Sequence, residues 1–401
     1  MLIAYLSRGV RITRPALFRS VLVTLSTASL LGCGDSRTAY QDSAIAADAS
    51  AFDWNLPARY PLPVEPENNP MTEAKFQLGR HLFYDKRLSG NGTQACASCH
   101  EQALGFTDGQ STPFGSTGER LARNSQGLMN TAYNATQTWA NHSLLTLEQQ
   151  ALIPLFGESP VEHGVTDANK DEVLQRIRDE SRYQKLFSTA YPELGNPIDF
   201  NNIRNAITSF VRGMVSFNTP FDRFEQGDAS ALSESAHRGR RLFFSEELEC
   251  FHCHGGYHLS DSTIDRSMTF INRPFHNTGL FNIGGTGDYP SDNTGLFELT
   301  GDPSDMGKFR APSLRNIALT APYMHDGSVA TLDEVLDIYA AGGRVITEGP
   351  NAGDGRQNPF KDSFVNGFEM SPQDKQDVLA FLESLTDQDF ITNPRFSNPW
   401  E

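Results

Sequence analysis

Two short segments of this sequence place cysteine and histidine at a spacing that supports metal chemistry. They read CASCH at 96–100 and CFHCH at 250–254. This pattern is typical of c-type haem attachment, in which both thiols bond to the haem and the adjacent histidine ligates its iron. The sequence therefore predicts two covalently bound c-type haems. The predicted attachment and ligand residues are Cys96, Cys99 and His100 for the first haem, and Cys250, Cys253 and His254 for the second.

A zinc site or a redox dithiol is the alternative interpretation, because a C-x-x-C pair occurs in both. The histidine that directly follows each pair favours haem, as does the evidence for export given below. We interpret His252, which lies inside the second motif, as a residue that does not ligate the haem iron.

The segments that precede the two motifs are also similar, GRHLFYD at 79–85 and GRRLFFS at 239–245. Each is expected to end a helix that packs an aromatic ring against the haem. Self-similarity at this separation predicts two related domains rather than a short-period solenoid. We place an N-terminal haem domain at 56–228, a C-terminal haem domain at 229–390 and a tail at 391–401.

Apolar periodicity predicts helices and few strands, so the expected fold class is mainly α, with two cytochrome c-like domains joined by long irregular loops. Ser371 and Pro372 are a typical N-cap and first residue of a helix. Segments 101–125 and 255–310 are expected to be loops, and a loop as long as the second is usually functional. The predicted helices cover 72–84, 171–190, 201–217, 234–244, 332–341 and 372–385.

The N-terminus has the features of an export signal. Four arginines precede a short apolar run, which predicts a signal peptide at 1–32 rather than a membrane span. LLGC at 30–33 resembles a bacterial lipobox, so Cys33 is expected to carry the lipid of a periplasmic or cell-surface lipoprotein. An ordinary signal peptide with a stray cysteine is the alternative. Residues 33–55 are expected to be a flexible tether, and the lipid to be the only membrane contact.

The remaining chain is strongly acidic. Without the signal peptide, 29 Lys and Arg residues stand against 49 Asp and Glu residues. This charge argues against nucleic acid as a partner and favours a neutral or basic protein. The two haem motifs use four of the five cysteines, which leaves no pair for a disulfide.

Several ordered motifs give the chain a resemblance to the bacterial di-haem cytochrome c peroxidase superfamily, and within it to the MauG- and MbnH-type oxidases. The resemblance covers most of residues 60 to 390. The motifs that carry it are Gly-Arg-x-Leu-Phe before each haem, RNS at 123–125, Trp139, PVE at 160–162, PFDRF at 220–224, LRN at 314–316 and TAPYMHDG at 320–327.

The resemblance implies the sixth ligand of the second haem. Classical members use a methionine fourteen residues after the histidine that corresponds to His325, and this position is Tyr339 here, as in MauG-like members. Phenolate stabilises ferric and higher iron states, whereas thioether sulfur favours ferrous iron. Tyr339 could instead be a core residue, with Met324 or Met370 as the ligand.

On the first haem, the resemblance implies an open face. Classical members place a histidine eight residues before the asparagine of Arg-Asn-Ser, and that position is Ser116 here. The first haem is therefore expected to be five-coordinate and to react with peroxide as isolated. His163 and His142 remain alternative ligands.

Three further roles follow from the family register. Glu162 is expected to be the acid/base for peroxide cleavage, although the interval from Pro154 to Glu162 is about two residues longer than in relatives. Trp139 is expected to relay electrons between the haems, with simple packing as the alternative. Asn124, with the carbonyls of Thr320 and Pro322, matches a calcium site, although Asn124 could equally cap a loop.

These expectations define a peroxide-dependent di-haem oxidase. H₂O₂ would generate a high-valent bis-Fe(IV) state that oxidises a residue of a secreted or periplasmic partner protein. By analogy with MbnH, the residue would be a tryptophan and the partner a copper-binding, MbnP-like protein. The alternatives are a cytochrome c peroxidase, which reduces H₂O₂ with electrons from a small cytochrome or cupredoxin, and a non-enzymatic di-haem electron carrier.

Overall fold

A computed structural model describes residues 52–401. The predicted signal peptide, Cys33 and nearly all of the predicted tether lie outside these residues. The described chain is mainly helical, as expected, and its strands are one antiparallel pair, β1 (Val345–Ile346) and β2 (Gly353–Asp354). No helix within 52–401 is long and apolar enough to cross a bilayer.

Twelve α-helices occur in the described residues. They are α1 (Glu73–Phe83), α2 (Leu147–Gln150), α3 (Leu152–Phe156), α4 (Lys170–Arg178), α5 (Ser181–Ala190), α6 (Phe200–Arg212), α7 (Pro220–Glu225), α8 (Glu234–Phe243), α9 (Phe297–Thr300), α10 (Leu332–Ala340), α11 (Pro372–Glu383) and α12 (Gln388–Thr392).

Capping explains why several helices begin where the sequence predicts. The Thr72 side chain accepts a hydrogen bond from the backbone of Lys75 at the start of α1. Ser371 and Asp374 form a reciprocal capping box at the start of α11, which satisfies donors that the first turn leaves free. The predicted helices at 72–84, 234–244, 332–341 and 372–385 are therefore confirmed to within two residues.

Two predicted helical segments differ from the structure. The helical region at 171–190 breaks at Glu180, whose side chain caps α5. The region at 201–217 stops being helical at Gly213, where an added Cβ would lie 2.6 Å from the Phe76 ring. Helix α7 then starts separately, with Thr219 and Asp222 as its capping box. Capping and close packing, which apolar periodicity does not report, set these ends.

The repeated Gly-Arg-x-Leu-Phe segments occupy equivalent positions. Helix α1 packs on α6, and α8 packs on α11. A Cβ on Gly79 would lie 1.9 Å from the Ala206 carbonyl oxygen, and one on Gly239 would lie 1.8 Å from that of Asp377. Each glycine therefore allows the helix before a haem motif to contact its neighbour at backbone distance.

Two main apolar cores surround these helix pairs. The first includes α1 and α6, and the second includes α8 and α11. Phe221 of α7 packs in the second core, whereas Phe390 and Phe396 pack in the first. The chain therefore returns to the first core after α11, and Arg395 there pairs with Glu73 at 2.6 Å. The division of the chain near residue 228 stays a prediction.

Candidate active site

A cavity of about 370 Å³ lies beside the first C-x-x-C-H segment. A single turn of 3₁₀-helix at Cys96–Ser98 follows α1 and its loop. This turn places Cys96, Cys99 and His100 along one wall of the cavity, with Phe83 from the end of α1 beside them. The sequence-predicted attachment residues and the predicted aromatic ring thus come together here, in what we call the first cavity.

The second C-x-x-C-H segment lines a separate cavity of about 230 Å³, which we call the second cavity. Another 3₁₀ turn, Cys250–His252, precedes His254. Cys250, Cys253 and His254 line this cavity with Phe243 from the end of α8. The two sites are therefore built in the same way, by a helix, an aromatic ring and a turn.

Hydrogen bonds set the orientation of both predicted iron ligands. His100 Nδ1 lies 2.7 Å from the Phe106 carbonyl oxygen, and His254 Nδ1 lies 3.2 Å from that of Leu259. A protonated Nδ1 that donates to a carbonyl leaves Nε2 as the nitrogen that can bind a metal, a common arrangement for histidine ligands.

The donor set and one buried cation fit a haem. Two thiols and a histidine line each cavity, which is the set that a c-type haem requires. Arg310 lines the second cavity, is 3% exposed, and burial lowers its pKa to about 10. It donates to the Gln126 side chain at 2.6 Å and to the carbonyls of Thr138 and Ala311, but pairs with no carboxylate among residues 52–401. A haem propionate would supply the missing negative charge.

Glu162 also lines the first cavity. Burial raises the pKa of its carboxyl group to about 7, so the group can hold or release a proton near neutral pH. Its backbone carbonyl accepts a hydrogen bond from Ser116 at 2.7 Å. A Cβ on neighbouring Gly115 would lie 1.7 Å from the Val161 carbonyl oxygen, so this glycine allows the close contact that holds the Glu162 segment.

Of the two alternative histidine ligands of the first haem, only one lines the first cavity in the described chain. His163 is 4% exposed, lines the first cavity, and its Nε2 lies 3.9 Å from Cys96 Sγ. His142 is exposed and does not line the cavity. Apart from His100, His163 is the histidine of the described chain that lines this cavity. It therefore remains the alternative iron ligand.

Two of the three candidate ligands of the second haem line the second cavity. Tyr339 of α10 lines the second cavity together with His254, and so does Met324. Met370 packs at the edge of the second core and is not part of the cavity wall. Burial raises the pKa of the Tyr339 hydroxyl well above its ordinary value. A phenolate here therefore needs a cation in the cavity to offset burial.

Trp139 lines both cavities. Its indole nitrogen donates to the Asn124 carbonyl oxygen at 2.9 Å, and its own carbonyl accepts from the Arg310 backbone at 2.8 Å. These bonds fix the ring in the wall between the cavities. The structure thus places Trp139 in contact with both cavities, and its role as an electron relay stays a prediction.

The three residues of the predicted calcium site all line the second cavity, and Asn124 also lines the first. The Asn124 side-chain nitrogen donates to the carbonyls of Gln110 and Ser111, at 2.8 and 3.2 Å, and this leaves its oxygen as the ligand atom. Thr320 and Pro322 contribute backbone carbonyls, the hard oxygen donors that suit Ca²⁺. Loop capping and ion binding by Asn124 are therefore compatible.

Sequence reasoning missed a charged cluster beside the second cavity, in which His276 is the residue that lines the wall. His276 Nε2 lies 2.7 Å from Asp261, and its Nδ1 lies 2.6 Å from Asp362. Burial opposes the charge, but hydrogen bonds to both carboxylates outweigh it and raise the pKa of His276 to about 12. Asp261 and His276 lie 15 residues apart in an irregular loop, and Asp362 lies 86 residues beyond His276, so sequence spacing carries no signal for the cluster. Arg310 was missed for the same reason.

A buried ion pair connects two motifs that the sequence singled out separately. Arg315 binds Asp222 through two hydrogen bonds of 2.9 Å, and both side chains are at most 1% exposed. Arg315 also lies 4.3 Å from the Phe217 ring and donates to the Tyr257 carbonyl. The LRN segment, which leads to the cavity wall at 320–325, is thereby fastened to α7.

Comparison with known proteins decides the family. The model of the di-haem cytochrome c peroxidase family matches residues 73–230. The cytochrome-c peroxidase IdrP1 of Denitromonas iodatirespirans is 35% identical over 363 residues, which cover 85% of this chain and 89% of that protein. The chain belongs to the di-haem cytochrome c peroxidase family. It is also similar to the methylamine utilization protein MauG of Methylorubrum extorquens, at 32% identity over 84% of this chain and 87% of MauG.

Solved structures support the same assignment. A MauG-like protein associated with microbial copper homeostasis is 53% identical, with a TM-score of 0.86 over 88% of this chain and 100% of that chain. The di-haem peroxidase BthA of Burkholderia thailandensis shares the fold, with a TM-score of 0.59 at 19% identity over 86% of this chain and 92% of that chain. The predicted family is therefore confirmed. This di-haem peroxidase family member is an oxidoreductase that acts on peroxide and carries two haems.

Proposed function

We propose that this di-haem peroxidase family member is a MauG-type oxidase, which uses H₂O₂ to oxidise a side chain of a partner protein. The observation that carries the proposal is the position of Tyr339 in the same cavity as His254. A tyrosinate ligand lowers the reduction potential of its iron and stabilises oxidised states. A protein that must hold oxidising equivalents until its partner arrives needs that property.

The chain's own residues have distinct roles in this proposal. When bound, the two haems accept the oxidising equivalents of peroxide. Glu162 takes the proton that peroxide loses on binding and returns it to the departing oxygen, and its pKa of about 7 suits both transfers. Trp139 passes electrons between the two cavities that it lines. Asn124, Thr320 and Pro322 hold a calcium ion beside this path.

The partner is inferred from a relative. The MauG-like protein that is 53% identical to this chain is associated with microbial copper homeostasis. We infer that the partner is a secreted, copper-binding protein of the MbnP type, oxidised at a tryptophan. Both proteins would meet in the periplasm or at the cell surface, with this chain anchored through a lipid on Cys33.

A cytochrome c peroxidase is the second candidate. Met324 also lines the second cavity, and a methionine ligand there would give the high potential suited to electrons from a small cytochrome or cupredoxin. Relatives named cytochrome-c peroxidase are as similar to this chain as MauG is. Because the family consists of enzymes, the electron-carrier alternative is not retained.

A peroxide reaction without reductant separates the two candidates. The diferric holoprotein is mixed with one equivalent of H₂O₂, and its visible and near-infrared spectra are followed. The oxidase is expected to react at once and to develop a long-lived near-infrared absorption. A protein that reacts only after one haem has been reduced is a conventional peroxidase, and the assignments at Ser116 and Tyr339 are then wrong.

Replacement of Tyr339 by histidine tests the ligand directly. Both haems should remain attached, because the cysteines are unchanged, but the long-lived state should be lost. Tyr323→Phe is the matched control, since Tyr323 lines the same cavity and its hydroxyl bonds only the Ile317 carbonyl, at 3.1 Å, among the described residues. If the long-lived near-infrared absorption persists in Tyr339→His but is lost in Met324→Leu, then Met324 is the ligand.

Replacement of Trp139 by phenylalanine tests the relay. Phenylalanine keeps an aromatic ring in the wall but is harder to oxidise, so partner oxidation should fall about tenfold or more, a barrier increase of about 1.4 kcal/mol. Peroxide consumption at the first site should change little. Trp400→Phe serves as control, because Trp400 donates to the His81 carbonyl away from both cavities. Equal partner oxidation in both variants would reduce Trp139 to a packing role.

A further inference from the structure

Three side chains gather on the surface turn that leads into the second haem-attachment segment. His252 Nε2 lies 2.6 Å from Glu249 Oε2 and 3.7 Å from Glu246 Oε2. The three ligand atoms lie within 4.8 Å of one another. Ligands about 2.0–2.2 Å from one metal ion lie roughly 3–4 Å from each other, so small shifts would place all three around a single ion.

Two of these atoms are buried and form a close ion pair with each other, but make no hydrogen bond in the described chain. Within residues 52–401, neither Glu249 Oε2 nor His252 Nε2 makes a hydrogen bond, although both atoms are buried. Their separation of 2.6 Å is not accompanied by the geometry of a hydrogen bond. Unsatisfied buried atoms of this kind call for an explanation, and a cation between the nitrogen and the oxygen would satisfy both.

The histidine ring is held in place independently of the carboxylates. It stacks on Phe364 with ring centroids 4.0 Å apart at 15°, and Phe251 lies 4.2 Å away. Glu246 is 80% exposed, so the cluster stays open to solvent on one side. The arrangement thus combines an oriented imidazole, a half-buried carboxylate and an open approach for an ion.

The first haem-attachment segment provides an internal comparison. There the residues that correspond to Glu249 and His252 are Ala95 and Ser98, which offer neither a carboxylate nor an imidazole. The cluster is therefore not a requirement of haem attachment. A neighbouring group of Cys253, Asp261 and His276 is not a comparable site, because Cys253 is a haem-attachment residue and both His276 nitrogens already bind carboxylates.

We propose that Glu246, Glu249 and His252 bind one divalent transition-metal ion. One imidazole and two carboxylates suit Cu²⁺ or Zn²⁺ rather than Ca²⁺, and the general affinity order places Cu²⁺ above Zn²⁺. Because His252 lies between the two attachment cysteines of the second haem, a bound dication makes that haem easier to reduce. The ion thus tunes the second haem, whichever proposed function the enzyme serves.

Calorimetric titration of the diferric holoprotein with ZnCl₂, in excess calcium, tests the site. We expect one zinc ion to bind per chain. Glu249→Gln and His252→Gln should each weaken binding at least about tenfold, or about 1.4 kcal/mol. Glu246→Gln, at an exposed position, should weaken it without affecting folding. Glu247→Gln is the matched control, because Glu247 lies on the same exposed turn outside the cluster and should bind zinc as the wild type does.

A redox titration provides a second measurement. Saturating Zn²⁺ should raise the midpoint potential of the second haem in the wild type and in Glu247→Gln, but not in His252→Gln. Zinc binding of equal strength in all variants, or an absence of stoichiometric binding by the wild type, would overturn the proposal. CuCl₂ should displace zinc from the wild type, and its failure to do so would contradict the proposed ligand set.

Discussion

Glu162→Gln is expected to slow peroxide consumption by about 10²- to 10⁴-fold, the usual contribution of a positioned acid/base. Glutamine matches glutamate in size but cannot accept the proton that peroxide loses on binding. The measurement is the rate of H₂O₂ loss in the holoprotein under single-turnover conditions. Glu158→Gln is the control, because Glu158 lies on the same loop but is exposed. A loss of less than about tenfold would show that Glu162 is not the acid/base.

The pH dependence gives this prediction a specific signature. Burial raises the pKa of Glu162 to about 7. The fraction of Glu162 that is ionised, and so able to accept a proton, therefore increases as pH rises through that value. Wild-type peroxide consumption should therefore rise between about pH 6 and pH 8, and the positive charge of a ferric haem shifts the midpoint down rather than up. Glu162→Gln should lose this rise. A rise that persists in the variant would assign it to another group.

The same burial predicts a stability effect of opposite sign to the loss of activity. The folded chain holds the Glu162 proton more tightly than the unfolded chain, so the contribution of Glu162 to stability is greatest below its unfolded pKa of about 4.5 and decreases as pH rises to about 7. Glu162→Gln should therefore stabilise the fold above pH 7, by up to about 3 kcal/mol, and leave it unchanged at pH 4. A variant that gains stability but loses activity is expected where a buried carboxylate is retained for catalysis rather than for folding.

Arg315→Met is expected to destabilise the folded protein by about 3–5 kcal/mol, because it leaves the Asp222 carboxylate buried without a counter-charge. The Arg315 side chain is 1% exposed and that of Asp222 is fully buried. Loss of the helical circular dichroism signal on heating or in denaturant measures the effect, because covalently attached haems keep a Soret band in the unfolded chain. Lys170→Met is the control, since the Lys170–Asp167 pair is exposed and such pairs contribute little to stability.

Two measurements test whether the loss of stability comes from the unpaired Asp222 charge: a double variant, and the stability of the wild type at acidic pH. Arg315→Met combined with Asp222→Asn should be less destabilised than the sum of the single variants, because neither charge then remains unpaired. Burial alone would raise the pKa of Asp222, but Arg315 outweighs burial and holds it below its ordinary value. The stability difference between the wild type and Arg315→Met is thus present above about pH 4 and decreases as pH falls. Additive effects, or an advantage that persists in acid, would contradict the ion-pair account.

The sequence by itself predicted the parts of this protein that depend on local pattern. The C-x-x-C-H spacing is a property of five adjacent residues, so it predicts haem attachment without any fold. Capping residues such as Thr72 and Ser371 act within one turn, so the starts of α1 and α11 follow from the chain alone. The ordered motifs also predicted the family, since together they are more specific than any one of them.

Tertiary structure decided what depends on residues that are distant in the chain. It showed that Met324 and His163 line the cavities whereas Met370 and His142 do not, because only the folded chain shows which side chains reach a cavity wall. It also assembled Asp261, His276 and Asp362, and joined Asp222 to Arg315.

Contacts of this kind also explain the repeated glycines. Gly79 and Gly239 belong to a motif that the sequence shows twice, but their neighbours Ala206 and Asp377 lie more than a hundred residues away along the chain. Local pattern therefore determined which groups the chain carries. Packing across the chain determined which of them meet, because burial and distance are properties of the folded molecule.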